Sequence, residues 1–423
     1  MRSFVKRGSH WSWIALLLIC AIMATSEAGA EQWPRFRGVN GSGQSEAASI
    51  PVEWSAEDYN WQIPLPGIGH SSPVIAGDRV VVTSGDPEGA TRYVTCVRCE
   101  DGSLVWSREF PSLPHHLHTR NSYASSTPAV DGERVFLTWA TPDAYHLVAL
   151  DLKNGRTLWR ANLGAFKSQH GFAVSPVVCD DLVVVANEQL GASFLAAYDC
   201  SSGKQRWKCR REGGVKTAYS VPCVWEDESG RAQLIFHSTA HGISGVDLKT
   251  GEPLWSIDVF NQRCVSSPVI AGGLIFGSSG QGGSGESLVA VRPGDGTARK
   301  PEVAYEIKKS APYVVTPVAY RDWIFVWHDG GVVSCHDVAD GRLRWRERVG
   351  RGFSGSPIRI GQNLYGIAED GQVVVLAAGP EFHLLAKNEL GEPSRATPAV
   401  ADGRLYLRTE SKLIAIGSDK TDP

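Results

Sequence analysis

A small residue followed by proline and an apolar run recurs along the whole chain. It stands at Ser72-Pro73, Thr127-Pro128, Ser175-Pro176, Ser267-Pro268, Thr316-Pro317, Ser356-Pro357 and Thr397-Pro398, with Val221-Pro222 as a weaker eighth copy. Such self-similarity constrains the fold more than any other feature, because repeated units bury their apolar faces against their own copies. After each proline come a β-rich run, a turn such as Asp131-Gly132-Glu133 or Ala401-Asp402-Gly403, and a second β-rich run, which together read as a hairpin. Proline is harmless at a strand's first residue, where no ladder bond needs its missing N–H. Successive prolines lie 55, 48, 46, 46, 49, 40 and 41 residues apart, close to the roughly 40–50 residues of a four-stranded propeller blade.

A second motif closes most units: glycine, three residues, then tryptophan, at Gly102/Trp106, Gly155/Trp159, Gly203/Trp207, Gly251/Trp255 and Gly341/Trp345. In four of them an aspartate precedes the glycine by four residues, at Asp151, Asp199, Asp247 and Asp337. This is a tight turn with glycine at positive φ and aspartate bonding local backbone, followed by an outer strand whose tryptophan packs between neighbours. Trp61, Trp106, Trp159, Trp207, Trp255 and Trp345 are therefore expected to be structural docking residues. The last unit ends without such a strand, while residues 59–65 stand unpaired before the first repeat. The expected fold is an all-β, eight-bladed β-propeller of four-stranded blades over residues 59–417, with the N-terminal strand completing the last blade and removing exposed edges. Blade five departs from the pattern, with Tyr305 near the expected tryptophan and a glycine-rich run, 277–285, that reads as a flexible loop. Blade seven has Leu384-Leu385 there.

Residues 1–30 have the parts of a secretory signal: basic Arg2, Lys6 and Arg7, an apolar run from Trp11 to Met23, and Ala28-Gly29-Ala30 as a cleavage site. The run is short for a bilayer span. An uncleaved anchor and a lipid on Cys20 are the alternatives, the latter disfavoured by the large Ile19. The expected organisation is a signal (1–30), an extension (31–58), the propeller (59–417) and a tail (418–423), exported to the periplasm or beyond. Without residues 1–30 the 42 basic and 45 acidic residues become 39 and 44, a formal charge of −5. With no basic run of five or more, neither a nucleic-acid surface nor a polybasic membrane patch is supported. Eight cysteines then remain, and their pairing cannot be read from spacing. Cys96 and Cys99 would face opposite sides of a strand, and Glu100 rules out a C-x-x-C-H haem site.

The units Asp151-Leu-Lys-Asn-Gly155-Arg-Thr-Leu-Trp159 and Asp247-Leu-Lys-Thr-Gly251-Glu-Pro-Leu-Trp255 resemble the tryptophan-docking motif of the pyrroloquinoline-quinone (PQQ) propeller repeat superfamily, over essentially residues 59–417. The opening Trp33-Pro-Arg-Phe-Arg-Gly38 and the closing segments 390–398 and 405–409 resemble exported bacterial PQQ-like repeat proteins. Quinoprotein alcohol and sugar dehydrogenases of that superfamily hold PQQ and Ca²⁺ in the channel, whereas its BamB-like members keep the repeat without the cofactor. The resemblance thus implies either an oxidoreductase with PQQ and calcium or a non-catalytic envelope scaffold, and fold alone does not choose. The dehydrogenases carry a vicinal cysteine pair and long inserted loops, and this chain has neither. No cofactor and no metal site is assigned from the residues.

Loops leading into the innermost strands of a propeller open onto one end of its channel. The residues just before each proline motif are thus the channel-mouth candidates: His70, Tyr123, His170, Tyr219, Arg263, Tyr313, Phe353 and Arg395. Aromatics with two arginines suit an anionic or planar group, and space-filling at the mouth is the competing role. The most polar long connection, 114–123, adds His115, His116, His118, Arg120 and Asn121. Its three histidines have no acid within the run and no preset metal geometry. Asn187-Glu188 resembles a pair of Ca²⁺ oxygen ligands but is far short of the six to eight required. No nucleophile elbow, H-E-x-x-H or phosphate loop is present. The reading that follows is a binding scaffold for an unknown protein or small-molecule ligand, with a PQQ-dependent dehydrogenase as the alternative. A monomer is expected, since a closed ring has no edges to hide.

Overall fold

A computed structural model of the chain describes Met1 and residues 32–417 apart from 48, 49 and 215, so the expected signal and tail lie outside the described residues. Eight antiparallel sheets follow one another around a ring, with innermost strands Val74–Ala76, Ala129–Val130, Val177–Cys179, Cys223–Glu226, Val269–Ala271, Val318–Tyr320, Ile358–Ile360 and Ala399–Ala401. Helix among the described residues is limited to two three-residue 3₁₀ turns, Val39–Gly41 and Ala56–Asp58. Middle strands are buried on both faces by adjacent blades, so Leu182–Asn187 is buried at every position, whereas the outer Thr157–Asn162 alternates between half-buried and exposed. The eighth blade is closed by the strand Tyr59–Pro64 lying antiparallel to Lys412–Gly417, as the unpaired N-terminal segment predicts.

The glycine–tryptophan motif operates between blades. Trp106 donates its indole N–H to the carbonyl of Leu152 in the next blade at 2.8 Å, and the same bond runs from Trp61 to Cys99, Trp159 to Cys200, Trp207 to Leu248 and Trp345 to Gly379. The ring lies flat on the following blade's turn glycine: a Cβ on Gly155 would stand 2.7 Å from Trp106. Gly155 has φ +71°, so glycine is required there twice over, by conformation and by space. The aspartates act as expected, Asp151 accepting from the amides of Lys153 and Asn154 at 2.8 and 3.1 Å. Asp199 and Asp247 each add an arginine, Arg206 and Arg231, and the Asp337 carboxylate accepts from Arg342 and Arg344. Trp255 departs too: its N–H goes to Gln233 of its own blade at 2.7 Å, since blade five has no Asp-x-x-x-Gly turn to receive it. Tyr305 fills the docking place in blade five, its hydroxyl bonding Val338.

The glycine-rich run is not a flexible loop. It forms the hairpin of Leu274–Gln281 and Ser284–Arg292 turning at Gly282 and Gly283, and its glycines are needed for close packing: a Cβ on Gly285 would meet the carbonyl of Pro312 at 2.3 Å. All eight cysteines of the described residues are free.

The hydroxyls of the proline motif form a belt. The amide of each motif residue donates to the hydroxyl of its counterpart in the next blade: Ser72 to Thr127, Thr127 to Ser175, Val221 to Ser267, Ser267 to Thr316, Thr316 to Ser356, Ser356 to Thr397 and Thr397 back to Ser72, all at 2.9–3.1 Å. Seven of the eight junctions are joined this way. At the eighth, between blades three and four, Val221 offers a methyl where the others offer oxygen.

The segment expected as a plain extension crosses the channel axis. Trp33, 1% exposed, exchanges backbone bonds with Ile75 of blade one, and the Pro34 carbonyl accepts from Val130 of blade two. Arg35 and Asn40 bind blade four at Pro222 and Val224. Arg37 donates to the carbonyls of Thr316, Pro317 and Pro357 in blades six and seven at 3.1, 2.7 and 2.9 Å. Gln44–Ser45 then pairs in parallel with Ile358–Ile360, a fifth strand on the channel side of blade seven.

Candidate ligand site in the propeller channel

Above this segment lies a cavity of about 390 Å³, lined by Phe36, by belt residues including Ser72, Thr127 and Thr316, and by the loops at the open end. That is within the range of ligand pockets in general. Six of the eight channel-mouth candidates meet there: His70, His170, Tyr219, Arg263, Tyr313 and Arg395. His118, Arg120 and Asn121 of the long connection reach the same cavity.

The other candidates do not. Tyr123 turns into a separate void of about 30 Å³ between blades one and two, its hydroxyl exchanging bonds with the backbone of His115 at 3.0 Å. His115 is spent on that contact, ring against ring at 5.0 Å. His116 is exposed and lines neither cavity. Phe353, fully buried, packs edge-on to Trp327 at 4.9 Å, because an aromatic without a polar tip gains more from the core than from a wet mouth. Glu188 is no calcium ligand in waiting: it pairs with Arg211 at 2.7 Å, both side chains nearly buried.

Two walls of the cavity are distinct in character. On one, the His118 and His170 rings lie 4.6 Å apart, and Asn121 donates to the His170 carbonyl at 2.6 Å. Burial and then the charge of Arg263 push the His170 imidazole down to about 4. Arg263, 7% exposed, donates to the Tyr313 hydroxyl at 3.3 Å and to the Gln169 side chain. On the other wall Arg120 reaches across the mouth to Glu369 of blade seven, which also accepts from Ser354 and has Arg395 at 4.0 Å. His70 beside them is held down to about 3 by burial, then by Arg408 and Arg395, so it is neutral at physiological pH. Behind Tyr313, the Asp329 carboxylate caps the amides of Tyr313 and Val314 at 2.7 and 2.9 Å. Burial raises that carboxyl to about 6.

Phe36, Glu369, Ser354 and the belt hydroxyls escaped the sequence reading. The hydroxyls carried a signal in the Ser or Thr recurring before proline. Phe36 and Glu369 carried none, since their position depends on where distant segments cross. Among the described residues no group of three or more His, Cys, Asp or Glu converges as a metal site, and no helix is long and apolar enough to cross a membrane.

The family model described as outer membrane protein assembly factor BamB matches residues 52–210, 90–315 and 301–380. Among solved structures, BamB from Moraxella catarrhalis superposes with a TM-score of 0.59 at 15% identity, covering 86% of this chain and 98% of that one. Quinohemoprotein alcohol dehydrogenase from Comamonas testosteroni gives 0.62 at 12% identity, covering 92% and 80%. At such identities these likenesses concern the fold. Among curated proteins, tetrathionate hydrolase of Acidithiobacillus ferrooxidans is 26% identical over 199 residues, 44% of this chain. Methanol dehydrogenase subunit 1 of Paracoccus denitrificans is 26% identical over 154 residues, 34% of this chain. The matched segments span only 36% and 24% of those relatives' own lengths.

Proposed function

We propose, on the premise that this chain belongs to the PQQ-repeat propeller family typified by outer membrane protein assembly factor BamB, that it is an exported, non-catalytic binding scaffold of the cell envelope, using its channel mouth as the binding face. The observation that carries this reading is the segment Trp33 to Ser45 lying across the axis, which leaves a cavity walled by arginines, imidazoles and tyrosine hydroxyls. Such walls recognise; they offer no nucleophile with an adjacent base and no converging acids. The monomeric state and the export signal are parts of the same proposal.

The alternative is a PQQ-dependent oxidoreductase, which the partial match to methanol dehydrogenase favours. Arg263 and Arg395 suit carboxylates of PQQ and the His118–His170 pair suits a planar ring. The calcium half does not fit: Ca²⁺ takes six to eight oxygens including carboxylates, whereas among the described residues no acid lines the cavity, and Glu369 beside it is engaged by Arg120, Ser354 and Arg395. The cavity therefore suits parts of the cofactor without its metal.

The test is calorimetric titration of the chain from Glu31 onward with PQQ and Ca²⁺, a dye-linked oxidation screen, and cross-linking in its native envelope. Captured partners mapping to the mouth loops support the scaffold. Saturable PQQ binding with turnover refutes it.

A further inference from the structure

Several arginines of this protein are buried without an acid, and most of them spend the guanidinium on backbone carbonyls instead. Arg37 spends its guanidinium on the carbonyls of Gly41, Ser42, Thr316, Pro317 and Pro357. Arg408 binds the carbonyls of Ser71, Thr83 and Thr409 and the Ser71 hydroxyl. Those backbone dipoles replace the lost water. Arg263 has no carbonyl and no carboxylate. Its partners are two neutral side chains, Tyr313 and Gln169, and its Nε is buried with no acceptor. It is more than nine-tenths buried yet lines the channel cavity. A buried cation normally has a counter-charge, and one facing an open cavity without it calls for an anion from outside.

We infer that Arg263 is the receptor for a ligand carboxylate, taken up in the channel cavity with the ligand's flat apolar part between Phe36, Tyr219 and the His118–His170 pair. Resting on the reading of the mouth as a binding face, this names the chemistry that face selects. The guanidinium fork matches a carboxylate in two parallel bonds. Its backbone is held independently, the Arg263 carbonyl accepting from Gly280 at 3.0 Å, so changing the side chain leaves the strand pairing intact. The unneutralised charge is felt at His170, which remains a neutral wall rather than a second cation. Glu369 competes for nothing here, being held by Arg120 on the other wall.

The experiment is ligand-observed NMR titration of the mature protein with benzoate, with benzamide as its uncharged counterpart, and with a peptide ending in phenylalanine as the free acid or the amide. Saturable binding of an acid, about tenfold or more tighter than its amide, is expected. Loss of that preference in Arg263→Gln, with the unfolding midpoint held or raised, is also expected, since removing an unpaired buried charge relieves the fold. Preference for the peptide acid identifies a protein terminus as the source, and preference for benzoate a small acid. Equal binding of acid and amide, no binding of either acid, or a steep fall in the Arg263→Gln midpoint overturns the inference. Partners cross-linked at the mouth with no carboxylate preference would sink this inference alone, whereas PQQ turnover would sink the reading beneath it.

Discussion

Gly155 and Gly132 offer a controlled test of how neighbouring blades hold together. Both belong to blade two and both are left-handed, at φ +71° and +90°. A Cβ on Gly132 would meet nothing within 4 Å, whereas one on Gly155 would sit 2.7 Å from the Trp106 ring. Alanine at either site bears the left-handed conformation, about 1–2 kcal/mol. Only Gly155→Ala adds an overlap with a tightly packed ring, about 1–3 kcal/mol more. The expected losses are therefore about 1–2 kcal/mol for Gly132→Ala and about 2–5 kcal/mol for Gly155→Ala, read from urea unfolding followed by circular dichroism. In thermal unfolding the entropy of this chain of 423 residues is ~0.9 kcal/mol per kelvin, so an excess of ~2 kcal/mol appears as a gap of ~2 °C. In a Trp106→Ala background the Gly155→Ala loss should shrink to that of Gly132→Ala, because the ring it strikes is gone. Equal losses in the parent, or a Gly155→Ala loss indifferent to Trp106, would refute the docking argument.

Val221→Thr should complete the hydroxyl belt by offering Ser175 an acceptor, raising stability by about 0.5–1.5 kcal/mol in the same assay. Arg211→Met should cost about 3–5 kcal/mol by leaving Glu188 buried and alone, and a further Glu188→Leu should recover most of it. Acid should weaken the fold through His237, buried and held down to about 3, and His70, likewise about 3. Both stay neutral when folded while the unfolded chain takes up protons below about pH 6.5. Their contribution is complete above that pH and is lost as pH falls from 6.5 toward 3, by up to about 1.4 kcal/mol per unit per histidine. A His237→Leu variant should show a shallower decline of urea midpoint between pH 6.5 and 4.5.

The ring was readable because its determinants are local and repeated. Proline before a strand, glycine in a tight turn and tryptophan four residues beyond each report the same conformation several times over, so one degenerate copy, Val221-Pro222, did not hide the count. The channel was readable only where position along a repeat decides exposure. His70, His170, Tyr219, Arg263, Tyr313 and Arg395 share a slot in the repeat and reach the cavity together. Tyr123 and Phe353 share the slot but not the outcome, since their side chains found better packing between blades. Phe36 and Glu369 depend on segments far apart in sequence, and no local pattern reports such a meeting. The run 277–285 misled because glycine marks both loose loops and crowded hairpins, and only the neighbouring Ala311 and Pro312 backbone distinguishes them.

The outer strand of the last blade, Tyr59–Pro64, and its partner, Lys412–Gly417, stand at opposite ends of the described chain. The axial segment around Arg37 likewise waits for blades six and seven. During synthesis a strand made before any blade is complete is therefore the last to find its neighbour, and the ring stays open until residues 412–417 exist. An unfinished ring exposes an unpaired strand edge, the surface most prone to joining other chains. A polypeptide that cannot lock itself early remains an open thread until its last blade is made, and closing the circle is its final step.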